Sequence, residues 1–158
     1  MNVFLFGSKN LSVHVLKELH SQNFQIKGVL TRDQEPGMKI WHDKLNHMSL
    51  KEESSKLGIP IYEGISINSK EFEDIFSKAD IDFAIGVFWG EIIKERILNL
   101  SKLGFFNLHT ALLPRDRGSF PMAWPIINGE KFAGITFHKM GNGVDDGPIV
   151  SQNKVAIE

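Results

Sequence analysis

An amide and an imidazole side chain interrupt an apolar stretch of this sequence. Asn107 and His109 lie two residues apart in GFFNLHTALLP, residues 104–114. Because strand side chains alternate between faces, both would lie on the same face of a strand. Taken alone, the pair is best interpreted as hydrogen-bonded core side chains.

A carboxylate from a distant turn could give this pair a chemical role. Asp145 lies between Gly143 and Pro148, and a solvated turn is the usual explanation of Asp beside Gly. Beside Asn107 and His109, however, a carboxylate could orient the imidazole and set its protonation state. These groups suffice for acyl transfer without a covalent intermediate, because the amide and imidazolium bind an oxyanion while the carboxylate side handles the proton.

Other polar clusters give weaker predictions. The turn at residues 7–10 could hold an anion, but it lacks the glycine spacing of a phosphate-binding loop, so a plain strand-to-helix turn is favoured. Arg115 and Arg117 could clamp a carboxylate or phosphate, with pinning of their own loop an equal alternative. His42 and His47 have no obvious third ligand, so solvated side chains are favoured and no metal site is predicted.

Composition indicates a single soluble domain. The chain has 158 residues, 42% hydrophobic and 23% charged, which is enough for a substantial core. Its formal net charge of -1 argues against a broad nucleic-acid-binding surface. The absence of cysteine excludes disulfides and thiolate catalysis and fits the cytoplasm. No apolar stretch approaches the roughly 20 residues that span a bilayer, and the N-terminus does not resemble a signal peptide.

The apolar pattern predicts alternating strands and helices. A strand, a helix and a second strand within the first thirty residues imply parallel pairing. We therefore expect a doubly wound α/β domain with a mostly parallel sheet, helices on both faces and antiparallel strands near the C-terminus. His138 lies near the end of a predicted strand, and its role is ambiguous between packing and the rim of a site. Strands are predicted at 2–6, 25–30, 60–62, 81–88, 104–108, 132–138 and 148–157; helices around 11–19 and at 49–57, 69–77, 91–100 and 122–128; and a loop at 31–47.

Several motifs in a fixed order give the sequence a family resemblance. The segment FNLHTALLPRDRGSFPMAWPIINGEKFAGITFHKMGNGVDDGPIVSQ resembles the signature region of formyltransferases that use 10-formyltetrahydrofolate. Their pattern is Asn-x-His-x-Ser-Leu-Leu-Pro, Arg-Gly, Asn-Gly, Gly-(Val/Ile)-Thr and Asp-x-Gly. The family includes glycinamide ribonucleotide, methionyl-tRNA and amino-sugar formyltransferases.

The resemblance implies a catalytic trio of Asn107, His109 and Asp145. Asn107 and His109 would stabilise the tetrahedral intermediate formed when an amine attacks the formyl carbon. Asp145 would hold His109 or an ordered water and help to remove the proton of the amine. The implied formyl donor is 10-formyltetrahydrofolate.

The resemblance also implies where the folate would lie. Its pterin is expected near Phe88 and Trp89 and against the loop at residues 141–145, largely through backbone groups. The residues implied to bind it are Phe88, Trp89, Gly141, Gly143 and Val144.

Two residues depart from the family pattern. Ala111 stands where the family usually has Ser, which removes any hydrogen bond of that hydroxyl. Asp146 stands where Thr, Ala or Gly is usual, and two neighbouring carboxylates could raise the pKa of one of them. Family members usually continue past the last strand. Residues 1–158 are therefore interpreted as one formyltransferase catalytic domain, either truncated or paired with another chain, with a homodimer left open.

Among acceptors, the resemblance favours a nucleotide-linked amino sugar, because TFHKM and AWPIINGE look closest to that branch. Methionyl-tRNA and glycinamide ribonucleotide are the alternatives within the family. A noncatalytic folate- or nucleotide-binding domain and a hydrolase releasing formate are alternatives from other classes. No membrane or nucleic-acid partner is expected, and the protein is expected in the cytoplasm.

Overall fold

The chain builds one seven-stranded sheet. The computed structural model describes residues 1–32 and 48–157, so His42, His47 and most of the predicted loop at 31–47 lie outside the described residues. The elements are β1 (Asn2–Gly7), α1 (Lys9–Ser21), β2 (Gln25–Thr31), α2 (Leu50–Lys56), β3 (Ile61–Glu63), α3 (Lys70–Lys78), β4 (Phe83–Val87), α4 (Glu95–Leu98), β5 (Gly104–His109), α5 (Ala123–Ile127), β6 (Phe132–Lys139) and β7 (Ile149–Ala156).

The strand order is β3-β2-β1-β4-β5-β6-β7. The first five strands in this order run parallel, whereas β6 is antiparallel to β5, and β7 to β6. The predicted mostly parallel sheet with antiparallel strands near the C-terminus is therefore confirmed. The carboxyl ends of β1, β2, β4 and β5 lie along one edge, where ligands bind in sheets of this kind.

Each face of the sheet has its own apolar core. On what we call the first face, Phe4 and Phe6 of β1 pack with side chains of α3 and α4. On the second face, Val3 and Leu5 pack with side chains of α1 and α2. Strands covered on both faces need apolar residues at successive positions, which explains the continuous apolar runs in the sequence. Burial of each large side chain contributes about 1.5–3 kcal/mol.

The predicted helix at 91–100 is wrong in its first turn, because α4 covers only Glu95–Leu98. The side chain of Asn68 explains the difference. Its Nδ2 donates to the carbonyl of Ile92, and its Oδ1 accepts from the backbone N–H of Lys94, both at 2.7 Å. These bonds tie the segment before α4 to a neighbouring loop and replace a helical turn.

The turn between β1 and α1 is explained by close packing. A Cβ at Gly7 would collide with the carbonyl oxygen of Val87 and with the side chain of Ser12. Glycine is thus required for steric reasons, which supports a plain strand-to-helix turn. Within the described residues, no helix has the length and apolar character needed to cross a bilayer.

Candidate active site

Asn107 and His109 lie at the carboxyl end of β5, and their side chains lie on the first face of the sheet. Strand β5 extends through His109, and Phe105, two residues before Asn107, belongs to the first-face core. In the pairing of β5 with β6, Asn107 lies opposite His138 and His109 lies opposite Thr136. The side chain of His109 is buried, with 5% of the residue exposed.

Asp145 meets this pair from the loop between β6 and β7. Its Oδ1 accepts a hydrogen bond from Asn107 Nδ2 at 3.1 Å, and its Oδ2 lies 3.5 Å from His109 Nδ1. The carboxylate is mostly buried, with 14% of the side chain exposed. The structure therefore brings together the three side chains that the sequence singled out.

His138 is a fourth member of the cluster, which sequence reasoning left undecided. It is 1% exposed, and its Nε2 lies 3.3 Å from Asn107 Nδ2 and 3.4 Å from Asp145 Oδ1. Its Nδ1 lies 3.0 Å from the carbonyl oxygen of Lys139. Thr136 and His138 alternate on β6 as Asn107 and His109 do on β5. The sequence alone does not show that the two pairs lie side by side, because this depends on the pairing register of β5 and β6.

The loop after β5 contributes backbone groups to the cluster. The carbonyl oxygen of Asp116 lies 2.8 Å from His109 Nε2, and the N–H of Gly118 donates to Asp145 Oδ2 at 2.9 Å. The side chain of Arg115 instead pairs with Glu130 at 2.9 Å, and Arg117 is exposed. The loop thus contacts the site through its main chain.

The surroundings of Asp145 favour its charged form. Burial raises the pKa of this carboxyl, but hydrogen bonds from His138 and from the N–H of Gly118, with the charge of His109, outweigh burial and leave the pKa lowered. At Asp145, the rise in pKa that a neighbouring carboxylate could cause is therefore not found. Asp146 is exposed, and its carboxylate packs against Gly141 and Gly143.

The position of Ala111 is fully buried, and its carbonyl oxygen accepts a hydrogen bond of 2.6 Å from Thr136 Oγ1. The same hydroxyl oxygen accepts hydrogen bonds from the N–H of Leu113 and from Gln152 Nε2. These bonds fix the start of the loop after β5 through Thr136.

The structure separates the two aromatic residues of the implied folate site. Trp89 packs on the first face, edge-on to Phe6, with the guanidinium of Arg32 4.5 Å from the centre of its ring. Phe88 packs against the core of the second face, with Lys9 above its ring. Trp89, and not Phe88, is therefore on the face that carries Asn107.

A cavity of about 370 Å³ opens on the first face beside the implied folate loop. Leu98, Phe105 and Met140 give it apolar lining, and Gly141 and Asn142 lie on its loop side. Of the implied folate-loop residues, Gly141 lines this cavity, while Gly143 and Val144 lie further along the same loop and are exposed. Most of the other lining residues are polar or charged, among them Glu95, Lys102 and Lys139, so the cavity combines a small apolar surface with charged groups.

The chain is a doubly wound α/β domain with a buried polar cluster at the carboxyl edge of its sheet. The family model described as formyl transferase matches residues 1–158, so the chain belongs to the formyl transferase family. The family assignment from the sequence motifs is thereby confirmed.

Three similar proteins illustrate the range of this family. The chain is 33% identical over 158 residues to a methionyl-tRNA formyltransferase of Clostridioides difficile, covering all of this chain and 50% of that protein. Among solved structures, phosphoribosylglycinamide formyltransferase from Bacillus halodurans aligns with a TM-score of 0.78 at 22% identity, covering 100% of this chain and 81% of that one. The sugar 3N-formyl transferase WlaRD, solved with dTDP and 5-N-formyl-THF, aligns with a TM-score of 0.72 at 23% identity, covering 100% and 53%. The chain thus spans about half the length of the curated relative.

Proposed function

We propose that the chain transfers a formyl group from 10-formyltetrahydrofolate to a primary amine. The observation that carries this proposal is the buried contact of Asp145 with both Asn107 and His109 at the carboxyl edge of the sheet. Membership of the formyl transferase family supports the same reaction.

The contacts suggest a role for each side chain. Both ring nitrogens of His109 face oxygen atoms, the Asp116 carbonyl at Nε2 and Asp145 Oδ2 at Nδ1. His109 and the amide N–H of Asn107 would stabilise negative charge on the formyl oxygen. Asp145, which is held in its charged form, would take a proton from the attacking amine.

Substrate binding would have to exchange one contact of the cluster. The Asp116 carbonyl lies 2.8 Å from His109 Nε2, the nitrogen that faces away from Asp145. For His109 to donate to the formyl oxygen, that oxygen must take the place of the carbonyl. Binding at the site is therefore coupled to movement of the loop after β5.

The folate is proposed to lie on the first face of the sheet, along β5. A formylated folate would supply the formyl group. The cavity lined by Leu98, Phe105 and Met140 would hold its pterin, with the backbone of Gly141 beside it. Trp89 would border the site on the first face, and Gly143 and Val144 would contribute from the loop.

For the acceptor we propose a nucleotide-linked amino sugar, on the sequence motifs TFHKM and AWPIINGE. Likeness to a sugar formyltransferase structure is compatible with this acceptor. The other similar proteins carry names that refer to methionyl-tRNA and to phosphoribosylglycinamide, so they do not favour a sugar over these acceptors. The net charge of the chain argued against a nucleic-acid partner. Because one similar protein is named for methionyl-tRNA, that argument no longer holds.

The direct test incubates the chain with 10-formyltetrahydrofolate and, in turn, an amino-sugar nucleotide, glycinamide ribonucleotide and methionyl-tRNA. Mass spectrometry of each acceptor detects the added formyl group. We expect formyl transfer to the amino-sugar nucleotide and its loss in His109→Ala, with His14→Ala as a control because His14 is exposed on α1. Folate binding without any transfer would refute the proposed activity, and formate release without an acceptor would indicate a hydrolase.

A further inference from the structure

Phe120 combines an unfavourable backbone conformation with an exposed side chain. Its φ angle is 54°, in the left-handed region, and 81% of the residue is exposed. A left-handed backbone is costly for a bulky side chain, because Cβ comes too close to the following carbonyl oxygen. A ring that lies mostly in solvent gains little from packing to offset that cost. The fold alone therefore does not explain a phenylalanine at this position.

Phe88 provides the contrast within the same molecule. Its φ angle is 52°, so its backbone adopts the same conformation as that of Phe120. The ring of Phe88, however, packs against the apolar core of the second face. Burial there offsets the backbone cost, and Phe120 lacks this burial.

Phe120 lies in the loop that contacts the polar cluster. The carbonyl of Asp116 contacts His109, and the N–H of Gly118 donates to Asp145 at 2.9 Å. Asp116 and Gly118 also have positive φ angles, of 56° and 89°. Phe120 follows Gly118 by two residues, so its Cα lies no more than about 12 Å from the Asp145 carboxylate. Backbone strain of this kind concentrates at catalytic and ligand-binding sites.

The surface that continues from Phe120 is apolar and uncharged. Residues 118–129 contain no charged side chain, and Met122 and Trp124 are 54% and 45% exposed. Such a surface suits an acceptor with an apolar group close to the reacting amine. A sugar ring has a face of C–H groups that packs on an aromatic ring, and in an amino sugar this face adjoins the amine. The nucleotide part lies further away, because a diphosphate separates it from the sugar.

We propose that Phe120 is a specificity-determining residue that packs against the sugar ring of a nucleotide-linked amino sugar. This inference rests on the proposed function and names a residue that selects its acceptor. Glycinamide ribonucleotide carries its amine beside a polar amide and offers no such face to the ring. Packing on the sugar is present before and during the reaction, so Phe120 acts on the KM for the acceptor and much less on kcat.

Two substitutions separate the ring from the backbone. Phe120→Gly removes the ring, whereas Phe120→Tyr keeps it. In Phe120→Gly we expect the KM for the amino-sugar nucleotide to rise about tenfold, with kcat and the KM for the folate changed less than about twofold. Phe120→Tyr should keep the KM within about threefold of the original. Asn23→Gly is the control, because Asn23 is exposed in the turn after α1 and has a φ angle of 61°.

Thermal unfolding distinguishes ligand binding from a role in the fold. Glycine adopts the left-handed conformation without steric cost, so Phe120→Gly should keep the original midpoint or raise it by up to about 4 °C. A clearly lower midpoint would show that the ring serves the fold and would overturn the inference.

Binding can also be compared without turnover, by calorimetric titration with a UDP-linked aminohexose and with UDP alone. Between the original chain and Phe120→Gly, the Kd of the aminohexose nucleotide should rise about tenfold, while that of UDP changes less than about twofold. Equal changes for the two probes would overturn the inference, as would a rise in KM confined to methionyl-tRNA or glycinamide ribonucleotide. A chain that binds the aminohexose nucleotide through Phe120 but transfers no formyl group would refute the proposed function alone. An active chain whose KM is unchanged in Phe120→Gly would refute this inference alone.

Discussion

Two carboxylates near the carboxyl edge of the sheet, Glu91 and Asp145, have lowered pKa values but different partners. Glu91 accepts from Arg32 at 2.7 Å, from Asn68 at 2.9 Å and from the hydroxyl of Ser66. Burial raises the pKa of Glu91, but these hydrogen bonds and the charge of Arg32 lower it overall. Asp145 has no arginine or lysine partner among the described residues, and its side-chain contacts are two imidazoles and an amide.

The difference separates a cross-link at Glu91 from the proposed catalytic site at Asp145. The guanidinium of Arg32 is a fixed positive charge beside Glu91, and the carboxylate ties Arg32 to the loop around Asn68. Asp145 instead contacts the imidazoles of His109 and His138 and the amide of Asn107, at the end of β5. A lowered pKa alone therefore does not identify a catalytic carboxylate, and the role proposed for Asp145 rests on its contacts with imidazole and amide side chains.

Of the residues that contact Glu91 or Asp145, His109 is expected to matter most for turnover, and the test is His109→Ala. Loss of an oxyanion donor lowers kcat by about 10²-fold or more. The measurement is steady-state formyl transfer at saturating acceptor, with His14→Ala as the exposed control. Near-normal turnover of a folded His109→Ala variant would contradict the assignment.

The cluster around Glu91 should affect stability instead of turnover. Glu91 is 21% exposed and accepts from three groups, so Glu91→Gln should lower the free energy of unfolding by about 1–3 kcal/mol. Asp74→Asn, at an exposed surface pair with Lys70, should change it by less than about 0.5 kcal/mol. Urea unfolding measures both. Equal stability of the two variants would show that Glu91 is not a cross-link.

The smallest expected effect is on stability in acid. It has the same sign for Glu91 and Asp145, because the pKa of each is lowered in the folded chain. Because the pKa of Asp145 is lower in the folded chain, its contribution to stability is complete above the unfolded value of about 3.9 and is lost as pH falls through the folded value. The difference in unfolding free energy between the original chain and Asp145→Asn should therefore shrink as pH falls below about 4. A difference that grows in acid would contradict the lowered pKa.

The sequence was sufficient to predict the sheet and three members of the cluster, for a physical reason. Apolar runs reveal strands, and the alternation of side chains puts Asn107 and His109 on one face. The assignment of Asp145 depended on the family resemblance, since Asp in a turn has many explanations. Contacts that depend on loop paths and register escaped prediction. His138 joins the cluster only because it pairs with Asn107 across strands separated by a long connection.

Backbone contacts were equally out of reach of sequence reasoning. The carbonyl of Asp116 and the N–H of Gly118 carry no side-chain signal, although they contact His109 and Asp145. The helix at 91–100 was overpredicted because its apolar pattern takes no account of Asn68, which binds backbone groups more than twenty residues away.

The central claim is that Asp145 serves formyl transfer, and single-turnover transfer by Asp145→Asn tests it most directly. The substitution keeps the size of the side chain but removes its charge. We expect the rate of transfer from 10-formyltetrahydrofolate to fall by about 10³-fold, within the range for a lost general base, while folate binding changes little. Transfer at the original rate by a folded Asp145→Asn variant would contradict the claim.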